Sequence, residues 1–148
     1  MALYRAGVDV GSTTVKLVIA DENNNILYGD YCRHCAHTQE KLAELLEKAR
    51  AKLGGCTLQI NITGSGSINL GRALGVPFVQ EVVSVARALR HVAPQTDVAI
   101  ELGGEDAKII YFRGSLEERM NGVCAGGTGS FIDQMAALLQ TDASGLNV

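Results

Sequence analysis

Short apolar runs rich in β-branched residues alternate with turn clusters at the start of the chain and predict three strands. The predicted strands are Leu3–Val10, Thr14–Ala20 and Ile26–Arg33. Residues 11–13, which are Gly, Ser and Thr, form a hairpin turn between the first two strands. The polar cluster at residues 21–25 is typical of a turn before the third strand.

Apolar residues then recur at helical spacing. Thr38 can cap a helix that ends at the glycine pair Gly54 and Gly55. The apolar positions on one face of this helix are Leu42, Leu45, Leu46, Ala49 and Leu53. The pattern next predicts a strand at residues 57–62, which runs into Gly64-Ser65-Gly66, and a second helix at residues 81–93, just before Pro94.

After Pro94 the strand pattern begins again, with strands predicted at residues 97–102, 106–112 and 116–120. A helix starts near Thr128, and the last residues, 141–148, are predicted as a loop. Residues 8–18 align with residues 100–110 at a constant offset (103 − 11 = 92). Glycine and lysine are identical at matching positions, acid matches acid and apolar matches apolar, which indicates an internal repeat.

The repeat predicts an α/β fold of two lobes of like topology, each opening with three strands and a helix. The first lobe is expected at residues 1–94 and the start of the second at residues 95–148. Because no further strand and helix follow in the second lobe, we expect it to be truncated and the chain to be the N-terminal part of a longer protein. A naturally short chain whose open sheet is covered by a partner is the alternative.

The composition, with 47% hydrophobic and 20% charged residues, is ordinary for a soluble protein. A net charge of −3 and the absence of tryptophan give no reason to expect nucleic acid or an anionic membrane as a partner. No apolar run approaches the roughly 18 residues of a membrane span, and the N-terminus does not resemble a signal peptide. The expected location is the cytoplasm, where cysteines are free thiols or metal ligands.

The two repeated turns carry the candidate chemistry. A turn of Gly, Ser and Thr between paired strands offers consecutive backbone N–H groups to phosphate oxygens, and two such turns facing each other across a cleft would clamp a polyphosphate. Asp9 and Glu101 end the strands beside the turns, where a carboxylate can hold Mg²⁺. A plain glycine hairpin is the alternative for either turn alone. The sequence contains neither a P-loop motif nor a dinucleotide-binding fingerprint.

Two stretches, Asp9-Val-Gly-Ser-Thr13 and Glu101-Leu-Gly-Gly104, resemble the phosphate loops of the actin, hexokinase and large heat-shock chaperone ATPase fold, which is built from duplicated ribonuclease H-like lobes. Within that fold, Gly104-Glu-Asp-Ala-Lys108 and the stretch at residues 120–133 resemble the ATP-dependent activators of 2-hydroxyacyl-CoA dehydratases and benzoyl-CoA reductases. The resemblance covers essentially the whole chain, and the Cys-Ala-Gly-Gly-Thr-Gly run at residues 124–129 is its most specific part.

This resemblance implies a homodimer with one [4Fe–4S] cluster on its axis, which passes an electron to a dehydratase after ATP binding and hydrolysis. Cys124 matches the first of two cluster cysteines per subunit, and the second is expected beyond Val148. Cys124 precedes the helix predicted to begin near Thr128. The dipole and free N–H groups at the start of that helix would favour a thiolate and its cluster.

The resemblance also implies individual roles. Asp9 and Glu101 would position Mg²⁺, and Glu105 or Asp106 would orient the water that attacks the γ-phosphate of ATP. The implied contacts to ATP or ADP are Gly11, Ser12, Thr13, Thr14, Lys16, Gly103, Gly104, Gly126 and Gly127. Lys16 and Lys108 lie on strands after their turns, where they face either phosphate or solvent. The family often has Asp and Gln in place of Glu101 and Glu105.

Other reactive residues have ordinary interpretations. Residues three apart on a strand point to opposite faces, so Cys32 and Cys35 are expected to be one structural thiol and one surface thiol, with metal binding as the alternative. Cys56 is expected to be buried. The histidines stand without metal-binding or catalytic neighbours and are expected to be solvated; they are His34, His37 and His91. Gly64-Ser65-Gly66 is either a turn or a further nucleotide contact.

Two other functions remain open at this point. A sugar or small-metabolite kinase of the same fold would keep both phosphate loops, but it needs a carboxylate placed on a substrate hydroxyl and has no use for Cys124. A non-enzymatic, nucleotide-responsive lobe of a larger protein is the third possibility. All three share the fold and the phosphate loops, so only Cys124 discriminates among them.

Overall fold

The computed structural model describes residues 2–121 and 128–146. The chain divides into two compact units, Met1–Ser84 and Val85–Val148. Among the described residues, no helix has both the length and the apolar character that a membrane crossing requires.

The first unit is a four-stranded sheet covered by helix α1. Its strands are β1 (Leu3–Val10), β2 (Thr14–Ala20), β3 (Ile26–Arg33) and β4 (Thr57–Thr63). The strand order is β3-β2-β1-β4, in which β1 and β4 are parallel and the other pairs are antiparallel. The first three strands have the bounds that their alternating pattern predicts. Val15, Leu17 and Ile19 are buried because alternate residues of β2 point to the same face of the sheet.

Helix α1 (Thr38–Leu53) packs on β2 and β3 through Leu42, Leu45 and Ala49, which join the core of the first unit. Burying each of the two leucine side chains contributes about 1.5 to 3 kcal/mol, which offsets part of the conformational entropy lost on folding. The predicted cap at Thr38 was wrong by one residue, since His37 is the cap and makes no side-chain capping hydrogen bond. The predicted end is confirmed at Gly54, whose φ is 75° and whose N–H donates to Arg50 O.

Sequence reasoning missed the short helix α2 (Ile68–Leu74) between β4 and helix α3 (Glu81–Val92). Seven residues are too few to show a repeating apolar face, and only Leu70 and Gly71 are buried. Ser67, fully buried before the helix, donates its hydroxyl hydrogen to Gly64 O. The helix ends at Gly75 in the left-handed conformation.

The second unit contains a three-stranded antiparallel sheet with the order β5-β6-β7. Its strands are β5 (Val98–Leu102), β6 (Ala107–Tyr111) and β7 (Glu117–Met120), close to the predicted positions. Helix α4 (Gly129–Leu138) follows, and Ile110 and Ala136 are buried in this unit. Within residues 141–146, the described part of the predicted terminal loop, a 3₁₀ turn lies at Ala143–Leu146.

Candidate functional site

The two glycine hairpins close with the same backbone hydrogen bond, in keeping with the internal repeat. In the first, Gly11 N–H donates to Thr14 O at 2.9 Å, and in the second Gly103 N–H donates to Asp106 O at 2.8 Å. The acid and lysine also keep their places, with Asp9 opposite Lys16 in the β1–β2 ladder and Glu101 opposite Lys108 in the β5–β6 ladder. We call residues 11–14 loop 1 and residues 103–106 loop 2.

The carbonyl groups around loop 1 are held by donors from the rest of the first unit. Val10 O accepts the N–H of Gly66 at 2.9 Å, and Thr13 O accepts the N–H of His34 at 3.1 Å. The ring Nε2 of His34 lies 3.2 Å from Gly11 O. The carbonyls of Val10, Gly11 and Thr13 therefore all have hydrogen-bond partners within the first unit.

The N–H groups of loop 1 are correspondingly available. In a trans peptide unit the N–H points away from the preceding carbonyl, and no described peptide bond is cis. Because the carbonyl of Gly11 turns toward His34, the N–H of Ser12 points away from that ring. Among the described residues, no backbone acceptor takes up the N–H of Ser12 or Thr13. Adjacent open N–H groups of this kind suit an anion.

His34 was predicted to be solvated, and the structure shows otherwise. It is 9% exposed, whereas His37 and His91 are exposed as predicted. The chain leaves β3 after Arg33 and turns back, with positive φ at Cys35 (46°) and Ala36 (69°), and this turn brings the ring of His34 against loop 1. Ala36 N–H donates to Nδ1 of His34 at 3.1 Å.

The turn after β3 also places Cys32 and Cys35 in different surroundings. Cys32 lies on β3 and packs partly against the core, and Cys35 is exposed, so the predicted division into a structural and a surface thiol holds. The reason is not the alternation of a strand, because Cys35 lies beyond the end of β3. Cys56, which was expected to be buried, is only half-buried.

The two carboxylate oxygens of Asp9 have different surroundings. Oδ2 accepts a hydrogen bond from Lys16 Nζ at 2.7 Å, while Oδ1 is buried and has no hydrogen-bond partner in the described structure. A buried, unpartnered carboxylate oxygen beside an open N–H turn fits a Mg²⁺ ion that takes its remaining ligands from phosphates and water. The Lys16 side chain is about half-exposed, so both of its predicted roles, facing phosphate or facing solvent, stay open.

Gly64 and Gly66 support loop 1 from β4 and the turn after it. Gly64 has a φ of 94°, and a β-carbon there would overlap the carbonyl of Val10 and the carboxylate of Asp9. Gly66 donates its N–H to Val10 O. The sequence left these glycines as a turn or a nucleotide contact, and the structure assigns them a close packing role beneath loop 1.

Loop 2 is held by the start of α4. Gly129 N–H donates to Gly103 O at 3.1 Å, and Ser130 N–H donates to Gly104 O at 2.7 Å. The prediction of free N–H groups at the start of this helix was therefore wrong for its first two residues, because the carbonyls of loop 2 take them up. The hydroxyl Oγ1 of Thr128, just before the helix, is buried and has no hydrogen-bond partner in the described structure.

The two acids of loop 2 differ in where they lie. Asp106 folds back over its own turn, since a β-carbon on Gly103 would lie 2.6 Å from Asp106 Oδ1. Its Oδ2 lies 3.6 Å from Nζ of Lys108, which is 7% exposed. Glu105 is exposed. Of the two predicted water-orienting residues, Glu105 is therefore the more accessible to a ligand.

Three predicted site residues, Cys124, Gly126 and Gly127, lie outside the described residues. Within the described part of the chain, no cluster of three or more His, Cys, Asp and Glu side chains could hold a metal ion. The structure thus describes the two hairpins, Asp9 and Glu101 among the predicted site residues.

The sequence from residue 6 to residue 146 matches the model of the BadF/BadG/BcrA/BcrD ATPase family. The chain belongs to this family. The chain is similar to the 2-hydroxyisocaproyl-CoA dehydratase activator of Clostridioides difficile, at 32% identity over 97% of this chain and 55% of the relative. The (R)-2-hydroxyglutaryl-CoA dehydratase activating ATPase of Acidaminococcus fermentans is 30% identical over 99% of this chain and 57% of the relative.

The solved structure of the Clostridium difficile 2-hydroxyisocaproyl-CoA dehydratase activator with bound ADPNP superposes on this chain with a TM-score of 0.84, covering 97% of this chain and 55% of that one. This agreement confirms the predicted α/β fold class and the resemblance to dehydratase activators. The chain spans about half the length of the relatives that it matches.

Proposed function

We propose that this chain is part of an ATP-hydrolysing, iron–sulfur electron donor that activates a 2-hydroxyacyl-CoA dehydratase or a related CoA-thioester reductase. The proposal is supported by its family and by relatives named as activators of such dehydratases. We propose further that the complete protein acts in the cytoplasm as a homodimer.

The observation that carries the nucleotide part of the proposal is the repeated hairpin. In both copies a glycine opens the turn, and the carbonyl of that glycine is bound within its own unit, at Gly11 by His34 and at Gly103 by Gly129. The open N–H groups of Ser12 and Thr13 would then donate to phosphate oxygens of ATP or ADP, and the hydroxyl groups of Ser12, Thr13 and Thr14 would add further donors.

Mg²⁺ would be held by Oδ1 of Asp9, directly or through water, with Glu101 at the equivalent position beside loop 2. The ion would neutralise charge that develops on the transferring phosphoryl group. Lys16 holds the other oxygen of Asp9 and so fixes the direction of the carboxylate. Glu105, exposed on loop 2, would orient the attacking water, and Asp106 would stabilise the turn through Gly103 and Lys108.

Cys124 would be one ligand of the [4Fe–4S] cluster, with a second cysteine supplied from outside residues 1–148. Such a cluster supplies one-electron chemistry at low potential. Gly126 and Gly127 would complete the nucleotide site, as the family resemblance implies.

Iron and acid-labile sulfide in the anaerobically purified complete protein test this proposal. We expect about four iron atoms per dimer, as one [4Fe–4S] cluster requires, and their loss in Cys124→Ala. Cys56→Ala, which changes a half-buried cysteine in the first unit, is the matched control and should retain the iron. A complete protein that carries no iron after reconstitution would contradict the proposal and would favour a kinase of the same fold.

A further inference from the structure

We propose that His34 is a positioning residue for nucleotide binding: its Nε2–H donates to the carbonyl of Gly11 and sets the peptide plane that presents the N–H of Ser12 to phosphate. This inference rests on the proposed function of loop 1. The ring is buried, and it lies on the segment after β3 rather than on the loop itself.

The hydrogen bonds of the ring determine which nitrogen carries the proton. Nδ1 accepts the N–H of Ala36 at 3.1 Å, so it cannot carry a proton of its own while that bond exists. A neutral imidazole must then hold its proton on Nε2, which faces the carbonyl of Gly11 at 3.2 Å. The turn at Cys35 and Ala36, with its two positive φ angles, thereby makes His34 a donor toward loop 1.

His34 acts on two peptide units of the same loop. Its side chain binds the carbonyl of Gly11, and its own N–H binds the carbonyl of Thr13 at 3.1 Å. Since each trans peptide points its N–H opposite to its carbonyl, these two bonds direct the N–H groups of Ser12 and Thr14 away from His34. One residue thus orients both ends of the turn.

The second hairpin supports this role by comparison. At the position equivalent to Gly11, the carbonyl of Gly103 accepts the N–H of Gly129, a backbone donor at the start of α4. Both copies of the repeat therefore bind the carbonyl of their first glycine, although with donors of different chemistry. In the first copy the side chain of His34 takes the place that a helix N-terminus has in the second, which indicates that the bond itself matters to the loop.

Two conservative variants separate the donor from the bulk of the ring. Counting bonds from Cβ, the amide nitrogen of glutamine matches Nε2 of histidine, whereas the amide oxygen of asparagine matches Nδ1. His34→Gln therefore keeps a donor for Gly11, and His34→Asn keeps an acceptor for Ala36 but loses that donor. His37→Asn, at an exposed histidine three residues later, is the matched control.

The readout is the dissociation constant of MgADP, measured by calorimetry on the complete protein, with thermal unfolding recorded for every variant. We expect His34→Asn to weaken binding about tenfold, equivalent to about 1.4 kcal/mol, while His34→Gln and His37→Asn stay within about twofold of the parent. Equal affinity in His34→Asn and the parent, or an equal loss in His34→Gln and His34→Asn, would overturn the inference.

A second measurement does not depend on nucleotide. Long-range ¹H–¹⁵N correlation spectra of the histidine rings should show His34 as the neutral Nε2–H tautomer, and an Nδ1–H tautomer would overturn the inference. If the parent protein binds no MgADP while the tautomer is as expected, the proposed function fails and the hydrogen-bond geometry of His34 stands.

Discussion

Gly64 lies so close to Asp9 that a β-carbon on Gly64 would overlap the Asp9 carboxylate. The overlap involves the oxygen Oδ1, which is buried without a hydrogen-bond partner in the described structure, and extends to the carbonyl of Val10. β4 runs parallel to β1 and pairs Thr63 with Asp9, so the residue after Thr63 must pass directly beside the carboxylate. The shape of the proposed Mg²⁺ site therefore depends on the absence of a side chain at Gly64.

Gly64→Ala should destabilise the protein and weaken MgADP binding. The positive φ of 94° costs about 1 kcal/mol for alanine, and the overlap adds about 1 to 3 kcal/mol as the neighbours shift. Gly75→Ala is the control, because Gly75 also has a positive φ (65°) but a β-carbon there meets no atom within 4 Å. Equal unfolding free energies for the two variants in urea titrations would show that the contact with Asp9 is unimportant.

Asp9→Asn should weaken the binding of MgADP by about tenfold, or about 1.4 kcal/mol, and should change the binding of metal-free ADP much less. The amide keeps the shape of the side chain but removes the charge that would attract Mg²⁺. Calorimetry with and without Mg²⁺ measures both constants. Lys16→Met separates this effect from the loss of the ion pair, since it removes the partner at 2.7 Å and leaves the carboxylate. An equally large loss of affinity for metal-free ADP in Asp9→Asn would contradict a direct metal role for Asp9.

Glu105→Ala should lower the kcat of ATP hydrolysis by about a hundredfold without changing MgADP affinity, because the side chain would act on water and not on the nucleotide. Glu105→Gln should keep more activity, since an amide can still accept a hydrogen bond from water. Glu118→Ala, an exposed acid on β7, is the charge control. If Asp106→Asn instead gives the large loss and Glu105→Ala none, the role belongs to Asp106.

Asp21 should stabilise the β2–β3 turn only while it is ionised. Its carboxylate accepts hydrogen bonds from the amide side chain and N–H of Asn25 and from the N–H of Asn23, and these bonds lower the pKa of Asp21 below its ordinary value of 3.8. A lowered pKa means that the stabilisation is complete above that ordinary value and disappears as the pH falls through the folded pKa.

Asp21→Asn should therefore lower the unfolding midpoint at pH 7, and the difference from the parent should shrink as the pH falls below about 4. Circular dichroism melts across a pH series measure this. Glu22→Gln removes a neighbouring charge and leaves the Asp21 hydrogen bonds in place, so it should show no such trend. A difference that stays constant down to pH 2 would mean that charge on Asp21 plays no part.

Local patterns in the sequence predicted most of the regular elements. Alternation gave the bounds of β1 to β3, helical spacing gave the buried face of α1, and the repeat at an offset of 92 residues indicated a second glycine hairpin like the first. Specific motifs in the sequence also led to the family whose model matches residues 6–146. These features can be predicted from sequence because periodicity and turn chemistry act between residues that are close together in the chain.

The residues that support the loops are identified by three-dimensional contacts and not by any local sequence pattern. His34 reaches Gly11 across 23 residues of sequence, Gly64 reaches Asp9 from another strand, and the start of α4 gives its N–H groups to loop 2. None of these contacts has a local signature, since each depends on how a turn or a parallel strand brings distant backbone together. The domain boundary at residue 94 and the role of Cys124 remain predictions. A lone histidine, a glycine after a strand and a helix start look ordinary in sequence, and their packing against backbone carbonyls and the Asp9 carboxylate gives them their place in the site.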